Sequence, residues 1–212
     1  AATRNLGISN SHYPYIAFLD ADDYYLPNRF LKTAEVFANN IDAEGVYEAI
    51  GATFQDNNAK DMWNRLPLLE LTTINKVVHP DILFEKIIFG NIGTFSFNGL
   101  TAKKSLINRT GCFSEKLQFF EDTDLMIKLS ASGTLYPGSI DKPIAIRRVH
   151  QGNRITHHLD NKRESYASHI ALWQSLKDWG KTNISYERQL LVILRYVDRL
   201  RKVDYFTNLT WK

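Results

Sequence analysis

Tyr15-Ile16-Ala17-Phe18-Leu19-Asp20-Ala21-Asp22-Asp23 is an apolar run cut off by three carboxylates. Five consecutive apolar residues predict a strand buried on both faces, as in a parallel sheet. Pro27 suits the first turn of a helix, and Phe30, Leu31, Ala34 and Phe37 follow at helical spacing. The acidic cluster is therefore expected at a strand-to-helix turn, on the sheet edge where open α/β folds bind ligands. Carboxylates this close repel one another unless a cation sits among them, and hard cations such as Mg²⁺ and Mn²⁺ favour oxygen ligands. The plainer alternative is that Asp23 only caps the following helix.

Outward from this turn, Ala43 to Ile50 reads as a strand, the polar stretch Gln55 to Arg65 as a loop, and Pro80 to Phe89 as a helix. Thr94 to Thr101 alternates loosely and is expected as a strand; Lys103 to Asn108 is a short helix ending in the turn Thr110-Gly111-Cys112-Phe113. Glu121 to Ser132 is a helix stopped by Gly133, with Leu125, Met126 and Leu129 on its apolar side. Ile144 to Val149 is a strand, and Arg163 to Lys202 is two helices split near Gly180, with Arg188, Arg195, Arg199, Arg201 and Lys202 as basic flanks. At the front, Ala1-Ala2-Thr3-Arg4-Asn5-Leu6 reads as a helix without a start signal, which suggests a fragment or a processed chain. The division expected is one main α/β domain over residues 1–160 and a helical extension over 161–212.

Two further segments carry chemistry. Phe119-Phe120-Glu121-Asp122-Thr123-Asp124 places acids at a helix start behind two aromatics. They serve the helix dipole, or one of them is a general base whose pKa is raised by apolar walls and a neighbouring acid. Ile146-Arg147-Arg148-Val149-His150-Gln151-Gly152-Asn153-Arg154 leaves a strand with basic groups and one His. Arg suits phosphate through paired contacts, and imidazole is a better ligand for Mn²⁺ than for Mg²⁺.

The 212 residues, 44% of them hydrophobic, suffice for one substantial core. The net charge of +3 is unevenly spread. From Lys142 onward there are fourteen Lys/Arg against six Asp/Glu, a net +8, while the first 141 residues carry −5. An acidic body with a basic last third fits a metal site beside a surface that meets anions. Cys112 is the single cysteine, so an internal disulfide is excluded and a reducing, cytoplasmic setting is expected. Neither a signal peptide nor a bilayer-spanning apolar run is visible. The basic residues come with no recognised nucleic-acid module, so no nucleic-acid partner is expected.

Taken together and in this order, the segments resemble the family-2 glycosyltransferases of the GT-A fold. Ala2-Thr3-Arg4-Asn5-Leu6-Gly7 is similar to that family's A-x-R-N-x-G helix, and Tyr15 to Asp23 to its strand and Asp-X-Asp turn. Gly111-Cys112-Phe113-Ser114-Glu115 is similar to its G-G-F-x-E turn, with Cys112 in place of Gly. Glu121-Asp122-Thr123-Asp124-Leu125 is similar to its E-D-x-D-L segment, and Arg148-Val149-His150 to its late R-x-H. The resemblance implies a mixed, mostly parallel sheet flanked by helices, here partial because the family's first strand-helix unit precedes the A-x-R-N helix. It also implies an inverting, metal-dependent transfer of a sugar from a nucleotide-diphosphate donor, UDP by default, to a hydroxyl on a saccharide or lipid-linked acceptor, in surface polysaccharide or glycolipid synthesis. Asp22 and His150 would hold Mn²⁺ or Mg²⁺, Asp20, Arg4 and Arg148 would contact the donor, and Asp122, with Glu121 behind it, would be the base. A peripheral contact with the inner face of the plasma membrane would bring the acceptor. Two rival readings are a truncated module that only binds sugar or nucleotide, and a haloacid-dehalogenase-type phosphohydrolase. The latter wants Thr or Val just beyond the acidic pair, where this chain has Tyr24 and Tyr25.

Overall fold

A computed structural model describes residues 1–65, 71–90, 92–150, 152 and 162–209. Helix α1 (Ala2–Asn10) leads into strand β1 (Tyr15–Ala17), then β2 (Tyr24–Tyr25) and α2 (Leu31–Asn39). Burial along β1 alternates: Ile16 and Phe18 are buried, while Tyr15, Ala17 and Leu19 are exposed. The strand pairs antiparallel with β5 (Leu100–Lys103), so the expectation of a doubly buried parallel strand is corrected. An outward apolar residue here is sheltered by a helix instead of a sheet partner: the Tyr15 ring packs on Phe37 of α2 at 4.8 Å. Helix α2 also begins about a turn later than the start expected at Pro27, because Asn28 takes a left-handed backbone (φ 64°) that a helix cannot include.

The stretch read as one strand is two. β3 (Gly45–Tyr47) and β4 (Ile50–Phe54) are separated by Glu48-Ala49, where the chain passes from one sheet to another. One sheet runs β1-β5-β3-β6, with β6 (Leu135–Pro137) parallel to β3, and the other runs β2-β7-β4, with β7 (Ala145–Val149) parallel to β4. The sheet is mixed and flanked by helices, as expected. Antiparallel pairings (β1 with β5, β3 with β5, β2 with β7) nonetheless outnumber the parallel ones among the described residues, which corrects "mostly parallel".

Residues expected as a loop form helix α3 (Asn57–Asn64), capped where the Asp56 carboxylate accepts the Ala59 amide at 2.8 Å. Its buried face is only Ala59 and Trp63, one turn apart. Helix α4 (Pro80–Phe89) begins at the His79-Pro80 signal and ends before Gly90, as read. The strand expected over Thr94 to Thr101 is displaced: Phe97–Gly99 is a 3₁₀ turn and β5 follows it. Helix α5 (Lys104–Thr110) ends on Gly111 at φ 105°, a conformation that favours glycine.

Helix α6 (Glu121–Ser132) sits between two cores. Leu125, Met126 and Leu129 join the main core with Phe18, Phe97 and Phe113, while Ile127 joins a second with Phe84, Trp173 and Leu176. That second core docks α7 (Lys162–Asn183) and α8 (Tyr186–Leu209). The break between them falls at Ile184-Ser185, not near Gly180, because the Ser185 hydroxyl accepts the Arg188 amide as a helix cap. Arg188 and Arg195, expected on solvent-facing flanks, turn inward. The first bonds Glu85 and the Ala131 carbonyl, each at 2.9 Å, and the second bonds the Ile88 carbonyl at 2.8 Å. Both cations stay partly exposed but are engaged in contacts within the protein. Among the described residues no helix is long and apolar enough to cross a membrane. The boundary expected at residues 160 and 161, together with Gln151, Asn153, Arg154, His157 and His158, lies outside the described residues.

Candidate active site

The acidic residues form a tight turn closed by the Asp23 amide, which donates to the Asp20 carbonyl at 3.0 Å. From the far side the Tyr25 hydroxyl donates to the Phe18 carbonyl at 2.8 Å. The turn aims its carboxylates in three directions. Asp20 accepts from the Arg4 guanidinium at 2.5 Å, Asp22 lies 3.4 Å from His150 Nε2, and Asp23 points inward and is 7% exposed. Asp23 does not cap α2. It accepts from Asn98 Nδ2 at 2.5 Å and from the Arg148 amide at 2.9 Å. Burial pushes its carboxyl above the ordinary range, against the pull of the Arg148 amide, and the charge of Asp22 adds to the rise.

Arg4 is the hinge of one half of the site. Besides Asp20 it lies 4.0 Å from Glu121, and its guanidinium covers the Phe113 ring at 5.3 Å. Burial alone would lower its pKa, but the bond and charge of Asp20, with Asp122 and Glu121 behind, carry it above the ordinary value. The neighbouring Asn5 grips the turn after α5: its amide donates to the Phe113 carbonyl at 2.9 Å and accepts the Phe113 amide at 3.0 Å. These bonds bring α1, the acidic turn and the start of α6 to one place. Asp122 is exposed on the first turn of α6 and accepts the Thr123 amide at 2.7 Å. Phe120, just before the helix, is left-handed (φ 63°), a strained conformation of the kind that aims side chains at functional sites.

The other half is a cavity of about 490 Å³ lined by Asp22, Thr53, Phe54, Gln55, Arg148, Val149 and His150. β4 and β7, parallel neighbours, supply its walls, and β7 delivers Arg148 and His150 opposite the acidic turn. Two ligands bound side by side on an octahedral cation at about 2.1 Å lie about 3 Å apart. The Asp22–His150 separation of 3.4 Å is near that value. No group of three or more His, Cys, Asp or Glu that could hold a metal forms among the described residues. A cation here would thus take two protein ligands, and water or phosphate for the rest, a donor set that suits Mn²⁺ or Mg²⁺.

Every site residue read from the sequence lies in one of these two halves, Arg4, Asp20, Glu121 and Asp122 in the first and Asp22, Arg148 and His150 in the second. Asn98 and the role of Asp23 were missed. An Asn on a 3₁₀ turn between Phe97 and Gly99 carries no local signal of its long-range bonds.

The family model described as glycosyltransferase like family 2 matches residues 1–212. The chain belongs to that family. Membership removes the haloacid-dehalogenase reading. An uncharacterized glycosyltransferase of Haemophilus influenzae is 24% identical over 152 residues, 71% of this chain and 47% of that protein. Among solved structures, S. aureus TarS 1-349 in complex with UDP-GlcNAc aligns with 92% of this chain and 51% of its own, at TM-score 0.59 and 14% identity. TarS 1-349 in complex with UDP aligns with 93% of this chain and 50% of its own, at TM-score 0.58 and 15% identity. The family-2 chain described here thus shares the TarS fold and spans about half the length of these relatives.

Proposed function

We propose that this chain carries the donor-binding and catalytic face of a metal-dependent, inverting glycosyltransferase, acting on a nucleotide-diphosphate sugar and an acceptor hydroxyl. The observation that supports it most is the pairing of Asp22 with His150 at the mouth of the 490 Å³ cavity, with Arg148 on its wall. A hexosyl or N-acetylhexosaminyl group is the sugar class, and UDP is the nucleotide, in keeping with the UDP and UDP-GlcNAc complexes of TarS. Asp22 and His150 would hold Mn²⁺ or Mg²⁺, which when bound offsets the negative charge that grows on a departing diphosphate. Arg148 adds a guanidinium to the same wall. Asp20, held by Arg4, faces the donor's ribose or sugar. Asp122 takes the proton from the acceptor hydroxyl, which belongs to a saccharide or lipid-linked acceptor of surface polysaccharide or glycolipid synthesis; Glu121, close to Arg4, supports it.

Calorimetric titration of UDP tests the reading. Binding is expected with Mn²⁺, is abolished by EDTA, and disappears in Asp22→Ala. Equal binding with and without metal, or an unaffected Asp22→Ala, would sink it.

A further inference from the structure

Asn98 is 1% exposed and stands at the centre of the acidic turn without contributing a charge. Its side-chain oxygen accepts the Asp20 amide at 3.1 Å, and its side-chain nitrogen donates to Asp23. Asp23 in turn accepts the Arg148 amide through its other oxygen, at 2.9 Å. The chain of bonds therefore runs from the backbone before Asp22, through Asn98 and Asp23, to the backbone of β7 two residues before His150. The Asn98 backbone is itself anchored. Its carbonyl lies 3.5 Å from Arg29 Nη2, and Arg29 is paired at 2.6 Å with Glu48, both buried. Gly99 allows this close approach, since a Cβ there would meet the Glu48 carbonyl oxygen at 2.1 Å.

We propose that Asn98 and Asp23 are positioning residues for the donor site: a buried amide–carboxylate clamp that sets the separation of Asp22 from His150 and holds Asp20 toward Arg4. The inference rests on the donor-site reading given above and adds to it two residues that touch neither donor nor cation. Two features of the bonding assign this role. Both backbone amides at the ends of the clamp, Asp20 and Arg148, belong to segments that carry site side chains. The bonds also have a direction that a swap can reverse: the amide group gives one hydrogen bond and takes one, while the carboxylate only takes.

That asymmetry defines the test. Asp23→Asn sets two NH₂ groups against each other, and Asn98→Asp sets two carboxylates against each other. The double variant Asp23→Asn/Asn98→Asp restores all the bonds, because the new amide at position 23 donates to the new carboxylate at position 98 and both backbone amides keep an acceptor. Amide hydrogen exchange at Asp20 and Arg148, followed by NMR, is expected to be slow in the native protein, faster in each single variant, and slow again in the double variant. Apparent Mn²⁺ affinity at saturating UDP is expected to fall about 10–100-fold in each single variant and to recover in the double, the range usual for groups that orient metal ligands. A purely structural pair would lower the melting temperature and leave Mn²⁺ affinity in the folded protein unchanged, which would overturn the proposal. So would a double variant no better than the singles. Should the singles fail to fold, the double variant decides alone: native-like Mn²⁺ affinity supports the clamp and its loss overturns it. If the native protein bound no UDP with Mn²⁺, the donor-site reading would fall, while exchange at the two amides would still decide whether the pair holds the turn.

Discussion

Asp122 is where single-residue chemistry and local structure meet. It sits exposed on the first turn of α6, and its charge is felt by Arg4. A carboxylate that takes a proton in the transition state contributes about 10²–10⁴ in rate. Asp122→Asn is therefore expected to lower kcat by that range with little change in donor KM, measured by steady-state kinetics. A near-native kcat would reassign the base to Glu121. The residue types of the site were legible because each has narrow uses: acids that end an apolar run, acids that start a helix, a basic group beside a His. The partner of each was not. Asp23 looked like a cap because capping is local, whereas its bonds to Asn98 and Arg148 span 75 and 125 positions. Cys112 takes a left-handed backbone (φ 56°), which gives a physical reason for the family's glycine there.

Among the elements, α5 shows how a short helix is fixed by charge. Arg109 donates to both oxygens of Glu44 at 2.8 and 2.6 Å, tying the helix to the residue that enters β3. The hydrogen bond from Arg109 holds the Glu44 carboxyl below its ordinary 4.5, against the opposing effect of burial. An unfolded Glu44 binds a proton at higher pH than the folded one. The stability it adds is thus present in full above 4.5 and is lost as pH falls through the lowered folded value. The melting temperature of the native protein is expected to exceed that of Glu44→Gln at about pH 7 and to converge with it as pH falls below the lowered folded value. A gap that persists in acid would show that the carboxylate charge is not what fastens α5. Helices with strong punctuation, α4 behind His79-Pro80 and α6 before Gly133, were readable with their limits. Helix α3 was not, since its buried face is two residues in an otherwise polar stretch. The split of Ala43 to Ile50 into two strands also escaped, because Glu48 and Ala49 change sheets without a glycine or proline to mark the place.

For the molecule as a whole, Arg29 and Glu48 join what the two sheets would otherwise leave apart. Glu48 stands where the chain leaves one sheet for the other, and Arg29 also reaches Thr101 of β5 at 3.4 Å. Removing one partner leaves the other charge buried and unpaired, which costs about 3–5 kcal/mol. Urea denaturation of Arg29→Met is expected to show a loss of that size, and Arg29→Met/Glu48→Leu a smaller one; equal losses would show that packing, not the unpaired charge, sets the cost. The family and the mixed α/β character were determined by the sequence alone, and the candidate site residues were proposed from it, since each reading depends on short spacings that survive without knowledge of the fold. The direction of strand pairing, the joining of Arg4, Asp20 and Glu121, the facing of Asp22 with His150, and the clamp of Asn98 with Asp23 were decided only by the tertiary structure. Those contacts link residues far apart in the chain, and their geometry is set by which buried groups find partners when the two sheets and α6 close on one another.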